Sequence, residues 1–263
     1  MSSGLRAERP LPLPRRSASA GRDRIYSKYV SGRATAIAPD TFDGMASRAL
    51  FLDHIIRRHL PPDRDVAILD LGCGYGSMVH RLRRAGYVHV VGVDGSVEQL
   101  EAGARLGIDG LQAGDLFETL SARDPQSVDV LLLLDVLEHF TKDEVFALVD
   151  QSVRVLAPGG RLLIHAPNAE SPFGGRMLFW DITHEIAFTR ESIAQLLLAA
   201  GFGEVACFED RPIVHGVASA VRRVLWQAIR AVWGFCLLVE TGGMAGAIFS
   251  QSFLTVAVKS PRR

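Results

Sequence analysis

An acidic, glycine-rich stretch follows an apolar run and could form a ligand-binding turn. Residues 66–69 are typical of a buried parallel strand, and Asp70-Leu71-Gly72-Cys73-Gly74-Tyr75-Gly76 comes next. Glycines at alternate positions allow a tight turn whose backbone N–H groups approach a ligand closely. This spacing differs from the dinucleotide fingerprint, and the leading acid would repel a pyrophosphate. The turn therefore predicts a ligand with a cationic amino-acid group.

Two further acids follow predicted strands in the order that suits a nucleoside cofactor. Asp94 ends a strand over residues 88–93, about 20 residues beyond the glycines, where a carboxylate can accept both ribose hydroxyls. Asp115 and Leu116 follow a third strand, where an acid beside an apolar wall would bind an adenine amine and ring. Together these units indicate S-adenosylmethionine. The predicted cofactor-binding residues are Asp70, Gly72, Cys73, Gly74, Gly76, Asp94, Gly95, Asp115, Leu116 and Asp135.

The motif set resembles that of class I S-adenosylmethionine-dependent methyltransferases, and most closely the branch of ubiquinone-type O-methyltransferases. The matching pieces are residues 70–76, 91–94, 114–115, 135–139 and 156–160. The resemblance implies an α/β fold, a doubly wound Rossmann-like sheet of seven strands in the order 3-2-1-4-5-7-6, with strand 7 antiparallel and helices on both faces. It also implies that the glycine turn holds the methionine moiety, Asp94 the ribose and Asp115 the adenine.

Periodicity and capping signals predict the elements that position these motifs. We expect helices over residues 42–60, 77–84, 141–156 and 192–200, and strands over 128–134, 161–165, 204–208 and 253–258. Ser96 with Gln99, and Thr141 with Glu144, have the spacing of capping boxes.

Composition fits one such domain with a tail. The chain has 263 residues and a formal net charge of zero, so no bulk charge favours nucleic acid. Three separated cysteines argue for a reducing, cytoplasmic compartment. Arginine and proline predict a disordered tail over residues 1–24 before a methyltransferase domain over 25–263. Residues 25–30 are expected to fold over the cofactor, as in related enzymes, or to pack on the outer sheet face.

Two histidines near the predicted carboxyl edge of the sheet could act as the catalytic base. Methyl transfer from a sulfonium is an in-line displacement that usually requires loss of a proton from the nucleophile. His139 follows the fourth strand, and His184 lies between Asp181 and Glu185, either of which could orient an imidazole. His165, within the fifth strand, is assigned to the core. Assigned to the surface are His54, His59, His80 and His89.

A metal is the alternative at the same place. Asp135, Glu138, His139 and His184 resemble the Glu-x-x-Glu-His…His pattern of small-RNA 3′-end 2′-O-methyltransferases, in which a divalent ion gathers vicinal hydroxyls. Asp135 stands where glutamate is usual, and the chain lacks a basic, aromatic-rich RNA platform. The sequence leaves a metal undecided and predicts no nucleic-acid partner.

A long apolar insertion at about residues 211–252 separates predicted strands 6 and 7, which core methyltransferases join by a short hairpin. Residues 217–239 fit a helix with a wide apolar stripe, and Arg222, Arg223 and Arg230 are expected on its other faces. Arg230 interrupts the stripe, so we do not expect a membrane span. The helix is expected to form a lid or homodimer surface, to lie in a membrane interface, or to belong to the core.

A second, narrower resemblance concerns the acceptor. Residues 166–189 are similar to bacterial methyltransferases associated with cell-surface polysaccharide and glycolipid assembly. With the apolar insertion, this favours O-methylation of a sugar on a membrane-associated glycan or glycolipid, at the inner membrane face. A quinone-type or other small phenol is the alternative acceptor, and a non-catalytic S-adenosylmethionine-binding protein is a third interpretation.

Overall fold

A computed structural model describes residues 20–32, 38–39 and 41–260, which form one seven-stranded sheet of order β3-β2-β1-β4-β5-β7-β6. The strands are β1 (Ile68–Leu71), β2 (Val90–Asp94), β3 (Leu111–Ala113), β4 (Val128–Leu134), β5 (Leu156–Pro167), β6 (Phe202–Glu209) and β7 (Ser252–Lys259). β7 pairs antiparallel with β5 and β6, and the other pairs are parallel. The predicted fold class and strand order are confirmed.

Helices cover both faces of the sheet. They are α1 (Ala20–Tyr26), α2 (Ala46–His59), α3 (Ser77–Arg84), α4 (Val97–Arg105), α5 (Leu116–Ala122), α6 (Lys142–Val155), α7 (Gly174–Leu178), α8 (Arg190–Ala199) and α9 (Val217–Thr241). Short 3-10 turns span Phe42–Met45 and Leu137–His139. β5 begins earlier than predicted because Leu156 already pairs with Val128 across a register shift.

The core has two layers because successive side chains of a strand point to opposite faces. In β4, Leu131 and Leu133 pack with α5, α6 and α8, whereas Val130 and Leu132 pack with α2 and α3. Both faces are therefore apolar, as in a parallel sheet with helices on each side.

One predicted capping box forms and the other does not. Thr141 and Glu144 make reciprocal bonds at the start of α6. The Ser96 side chain makes no capping bond to α4; its hydroxyl donates to the backbone oxygen of Tyr26 at 3.4 Å instead. The prediction at Ser96 and Gln99 was wrong because α1 contacts that turn.

The N-terminal segment packs on the domain earlier than predicted. Residues 1–19 of the predicted tail lie outside the described residues, but residues 20–24 are helical, so the boundary at residue 24 falls inside α1. Arg22 is buried and donates to Glu144, Nη2 to Oε1, at 2.9 Å. Tyr26 and Tyr29 line a cavity together with Asp70 and Asp94, and do not pack on the outer face of the sheet.

The insertion forms α9, which stands largely in solvent. Its buried residues are Ser219 and Gly234, so of the three alternatives left open for this helix, ordinary core does not apply. Arg230 faces the domain: its Nε donates to Glu209 Oε2 at 2.6 Å. Within the described part of the chain, one helix, α9, is long and apolar enough to cross a membrane, by length and composition only.

Candidate active site

A cavity of about 1140 Å³ opens at the carboxyl ends of the strands, where open α/β sheets bind ligands. It is large enough for a nucleoside cofactor and a second ligand together. The predicted site residues that line it are Asp70, Gly72, Cys73, Gly74, Asp94, Gly95, Asp115, Leu116, Asp135, His139 and His184. Gly76, which was also predicted to bind the cofactor, is the N-cap of α3 and does not line the cavity. Individual cofactor contacts stay predictions.

The glycine turn has the backbone geometry that its sequence predicts. Gly72 and Gly74 have φ of 72° and 57°, in the left-handed region that favours glycine. A Cβ at Gly72 would lie 2.5 Å from Val136 Cγ2, so no larger residue fits there without movement. The Gly74 amide donates to Asp94 Oδ2 at 2.8 Å, which joins the turn to the end of β2. The turn therefore places half-buried glycine backbone beside the cavity.

Asp70 provides the strongest test of whether a cationic cofactor fits. Its side chain is buried, and Oδ2 has no hydrogen-bond partner within the described residues. Burial, and secondarily the charge of Asp94, raise the pKa of Asp70 to about 7. A bound ammonium group would compensate the buried carboxylate, so the residues present fit S-adenosylmethionine.

Asp94 and Asp115 line the cavity, and their carboxylates also accept hydrogen bonds from nearby backbone amides. Asp94 Oδ1 accepts from the Ser96 amide at 2.7 Å. Burial raises the pKa of Asp94, against the lowering effect of the amides of Ser96 and Gly74. Asp115 is the N-cap of α5, and its Oδ1 accepts from Phe117 N at 2.8 Å. This capping role was not foreseen from sequence.

Asp135 is part of a series of charged side chains that are linked by hydrogen bonds. It has a φ of 59°, unusual for a residue with a side chain, and its carboxylate binds Arg48 and His165 Nδ1. His165 Nε2 in turn lies 2.7 Å from Asp210 Oδ2. Burial alone would lower the pKa of His165, but Asp135 and Asp210 raise it well above its usual value. All four residues line the cavity, so His165 is buried but belongs to the site.

A second polar cluster comprises Glu138, His139 and His184. One ligand atom from each lies within 4.8 Å of the others, and the two imidazole rings are 4.7 Å apart between centroids. Glu138 is 2 % exposed, and its Oε2 has no hydrogen-bond partner among the described residues. Burial, then repulsion from Asp135, raise the pKa of Glu138 well above its usual value.

The long loop after β5 brings His184 to this cluster. The Glu185 amide donates to the backbone oxygen of Glu138 at 2.7 Å, which ties the loop to the turn after β4. His139 Nδ1 lies 2.8 Å from Thr183 Oγ1, and that hydroxyl donates to Asp181 Oδ1 at 2.7 Å. Of the two acids suggested to orient an imidazole, Asp181 does so through Thr183, whereas Glu185 contributes its backbone.

Sequence reasoning missed the charged cluster of Arg48, His165 and Asp210 in the cavity wall. Arg48 lies on α2, and nothing in the helix pattern distinguished it from a solvated arginine. His165 was assigned to the core because apolar residues precede it, although its place near the carboxyl end of β5 was a usable signal. Asp210 directly follows β6 and had the same signal.

Comparisons with known proteins agree with this architecture. Residues 45–206 match a family model described as a methyltransferase domain. The chain is 32 % identical over 121 residues to a ubiquinone biosynthesis O-methyltransferase of Xylella fastidiosa, covering 44 % of this chain and 47 % of the relative. It is 37 % identical over 111 residues to a trans-aconitate 2-methyltransferase of Pseudomonas aeruginosa, covering 42 % and 39 %. The matched region is thus less than half of these relatives' length.

A solved structure supports the fold over a longer range. An S-adenosylmethionine-dependent methyltransferase from Archaeoglobus fulgidus superimposes with a TM-score of 0.61, covering 90 % of this chain and 99 % of that one. At 19 % identity, this similarity concerns the fold alone.

Proposed function

Because this chain belongs to the methyltransferase-domain family, we propose that it transfers a methyl group from S-adenosylmethionine to a hydroxyl oxygen. The observation that carries the proposal is the shared cavity: the glycine turn with Asp70, Asp94 and Asp115 lines the same cavity as the cluster of Glu138, His139 and His184. When bound, the cofactor supplies an electrophilic methyl group on a sulfonium.

The chain's own residues then have two tasks. Asp70 and the glycine turn bind the charged end of the cofactor, and Asp94 binds the ribose. On the other side, the histidines accept the acceptor's proton, for which a neutral imidazole is suited near neutral pH. A catalytically inactive binding protein would not need this second cluster, which argues for the enzyme.

We propose a sugar of a membrane-associated glycan or glycolipid as the acceptor. Asp135, His165 and Asp210 form a polar wall of the cavity, and carboxylates suit a ligand with several hydroxyls. The second candidate is a quinone-type or other small phenol. The apolar lining by Phe51, Met177 and Trp180 and the names of the ubiquinone-related relatives favour it.

The surface of α9 supports contact with a membrane interface, and hence a site at the cytoplasmic face of the inner membrane. Val217, Val232 and Val239 are 83 %, 61 % and 70 % exposed, and burying one such side chain is worth about 1.5–3 kcal/mol. Arg230 holds α9 against the domain through Glu209. A docked amphipathic helix of this kind lies along an interface. The alternative is that the same helix forms the contact surface of a homodimer.

Transfer of labelled methyl from S-adenosylmethionine into host cell extract tests the acceptor class. The extract is separated into lipid-soluble and water-soluble fractions, with the Asp94→Ala protein as the blank. We expect lipid-soluble label that mild acid releases from a lipid-linked glycan. Acid-stable lipid label supports the quinone-type candidate instead. Label in the aqueous fraction alone contradicts a lipid-linked acceptor, and no label above the blank contradicts the enzyme.

Liposome flotation tests the membrane contact separately. Val232→Asp introduces a charge on α9, and Val88→Asp is a matched control because Val88 is 60 % exposed and lies away from α9. We expect Val232→Asp to weaken flotation with anionic liposomes about tenfold or more and Val88→Asp to leave it unchanged. Equal flotation of both variants, or a dimer that Val232→Asp dissociates without lipid binding, contradicts the membrane interpretation.

A further inference from the structure

We infer that Asp210 and Glu209 are positioning residues, which make the orientation of the polar wall of the cavity depend on the docking of α9. Asp210 binds a histidine of that wall, and Glu209, its neighbour in the chain, binds the inserted helix. The inference rests on the proposed function, because the binding of an acceptor hydroxyl at this wall is part of that function. The contacts that join α9 to the wall do not depend on it.

The first contact in the series is between Asp135 and His165, which both line the cavity. The Asp135 amide donates to the backbone oxygen of His165 at 2.9 Å, and the Asp135 carboxylate binds His165 Nδ1. Asp135 has a φ of 59°, a conformation that residues with side chains adopt seldom and keep only where their surroundings hold it. His165 thus fixes both the backbone and the carboxylate of Asp135.

Asp210 supports His165 from the other side of the ring. Its Oδ2 lies 2.7 Å from His165 Nε2, so the imidazole has a carboxylate at each nitrogen and cannot rotate without losing one of these bonds. The Asp210 amide donates to Ser250 Oγ at 3.1 Å, which fixes Asp210 against the segment that returns from α9. A displacement of Asp210 therefore reaches Asp135 through a single side chain.

Glu209 joins this arrangement to α9. Its side chain is 3 % exposed, and it accepts from Arg230 Nε of α9 at 2.6 Å and from the Phe249 amide at 3.0 Å. The more exposed Arg211 binds the same oxygen as Arg230. Arg230 Nη2 also donates to the backbone oxygen of Ala247 at 3.0 Å. One guanidinium thus links α9, the end of β6 and the returning segment, and its removal leaves a buried carboxylate that must move to regain a partner.

The sheet topology explains why these contacts can affect the cavity. Pro167, at the end of β5, pairs with Ser252 of β7. Glu209, at the end of β6, pairs with Phe253 of β7. Both ends of the insertion therefore lie at the edge of the sheet where the cavity opens, and Asp210 and Ser252 line that cavity. The insertion thereby completes the acceptor side, besides providing the surface that we propose for membrane contact.

Histidine NMR on the purified full chain tests the link between α9 and the wall without any acceptor. With isotope-labelled histidine, the His165 signals are assigned by their loss in His165→Gln. We expect protons on both ring nitrogens of the wild type, because each nitrogen has a carboxylate partner. Asp210→Asn and Arg230→Gln should both shift these signals. Arg222→Gln, which changes an exposed arginine of the same helix, should leave them unchanged.

A second readout separates positioning from general stability. Calorimetry should give the same affinity for S-adenosylmethionine in Asp210→Asn, Arg230→Gln and the wild type, because other residues form the cofactor side. The initial rate of methyl transfer into host cell extract should fall about tenfold or more in both variants, an effect typical of small displacements near reacting groups. Asp109→Asn, an exposed substitution beside β3 at the opposite edge of the sheet from β6, should keep the wild-type rate.

Identical His165 signals in the wild type and Arg230→Gln overturn the link between α9 and the wall, and unchanged transfer in Asp210→Asn overturns the positioning role. A loss of cofactor affinity that parallels the loss of transfer also overturns that role, since it indicates general destabilisation. Absence of transfer by the wild type is a failure of the proposed function instead. The NMR comparison then still decides whether α9 orients His165, because it needs neither cofactor nor acceptor.

Discussion

Asp210 Oδ2 lies 2.7 Å from His165 Nε2, and this contact joins the residue after edge strand β6 to the buried strand β5. Asp135 binds the other ring nitrogen. Carboxylates at both ring nitrogens favour two N–H groups, and they raise the pKa of His165 well above its usual value although burial lowers it. The residue that directly precedes the apolar insertion thereby forms an ion pair with a residue of the cavity wall.

Asp210→Asn should lower the free energy of unfolding by about 1–3 kcal/mol near pH 6.5, because the imidazolium loses a charged acceptor. The raised native pKa of His165 gives stabilisation that is complete below its unfolded pKa of about 6.5 and declines as pH rises toward the native value. The difference in the free energy of unfolding between wild type and Asp210→Asn should therefore become smaller from pH 6 to pH 9. Urea unfolding across this range measures it, with the exposed Asp109→Asn as control. A difference independent of pH would contradict the ionised pair.

Arg22→Gln should destabilise the protein by about 3–5 kcal/mol, the cost typical of removing one partner of a buried ion pair. The side chains of Arg22 and Glu144 are 9 % and 4 % exposed. Arg24→Gln, an exposed substitution on the same helix, should change stability by about 0.5 kcal/mol or less. Chemical denaturation measures both. Equal small effects would mean that α1 is not held to the domain by this pair.

Asp94→Ala should weaken binding of S-adenosylmethionine by about 1–3 kcal/mol, or roughly five- to 150-fold. The substitution removes the expected acceptor of the ribose hydroxyls and also the carboxylate that holds the Gly74 amide. Isothermal titration calorimetry gives the affinity, and Asp109→Asn should bind normally. Unchanged affinity in Asp94→Ala would refute the assignment of the ribose site.

Affinity for S-adenosylmethionine should fall as the pH decreases below about 7. The buried Asp70, with a pKa of about 7, must ionise to pair with the cofactor's ammonium, so binding releases a proton in this range. Affinity measured from pH 5.5 to 8 should rise and then level off, and Asp70→Asn should show weak binding without this slope. An identical slope in the variant would assign the titration to another group.

Asp70 also affects stability in the absence of the cofactor. Because its native pKa is raised above the unfolded value of about 4, the native state holds a proton that the unfolded chain releases. The free energy of unfolding should therefore decrease as pH rises from about 4 to about 7. In Asp70→Asn this contribution should be lost, which denaturation at pH 5 and pH 7.5 can measure.

Much of the fold could be predicted because its signals are local. The apolar run of β4, the glycine turn before α3 and the Thr141–Glu144 capping box depend on neighbouring residues in the chain. Asp70 and Asp94 lie at the ends of neighbouring strands, and they could be assigned to one site because parallel strands end at the same edge of the sheet. The predicted Ser96 capping box does not form because the Ser96 hydroxyl donates instead to the backbone oxygen of Tyr26 in α1, which is distant in the sequence.

By itself the sequence predicted the strand order through its family motifs, the grouping of Asp70, Asp94 and Asp115 around one cavity, and the apolar character of α9. Only the tertiary structure decided which charged groups pair: Arg22 with Glu144, Asp135 with Arg48 and His165, and His165 with Asp210. The physical reason is how far apart in the sequence the interacting residues lie. Backbone conformation and hydrophobic periodicity are set within a few residues, whereas a buried charge is stabilised by partners that folding brings from more than 20 positions away.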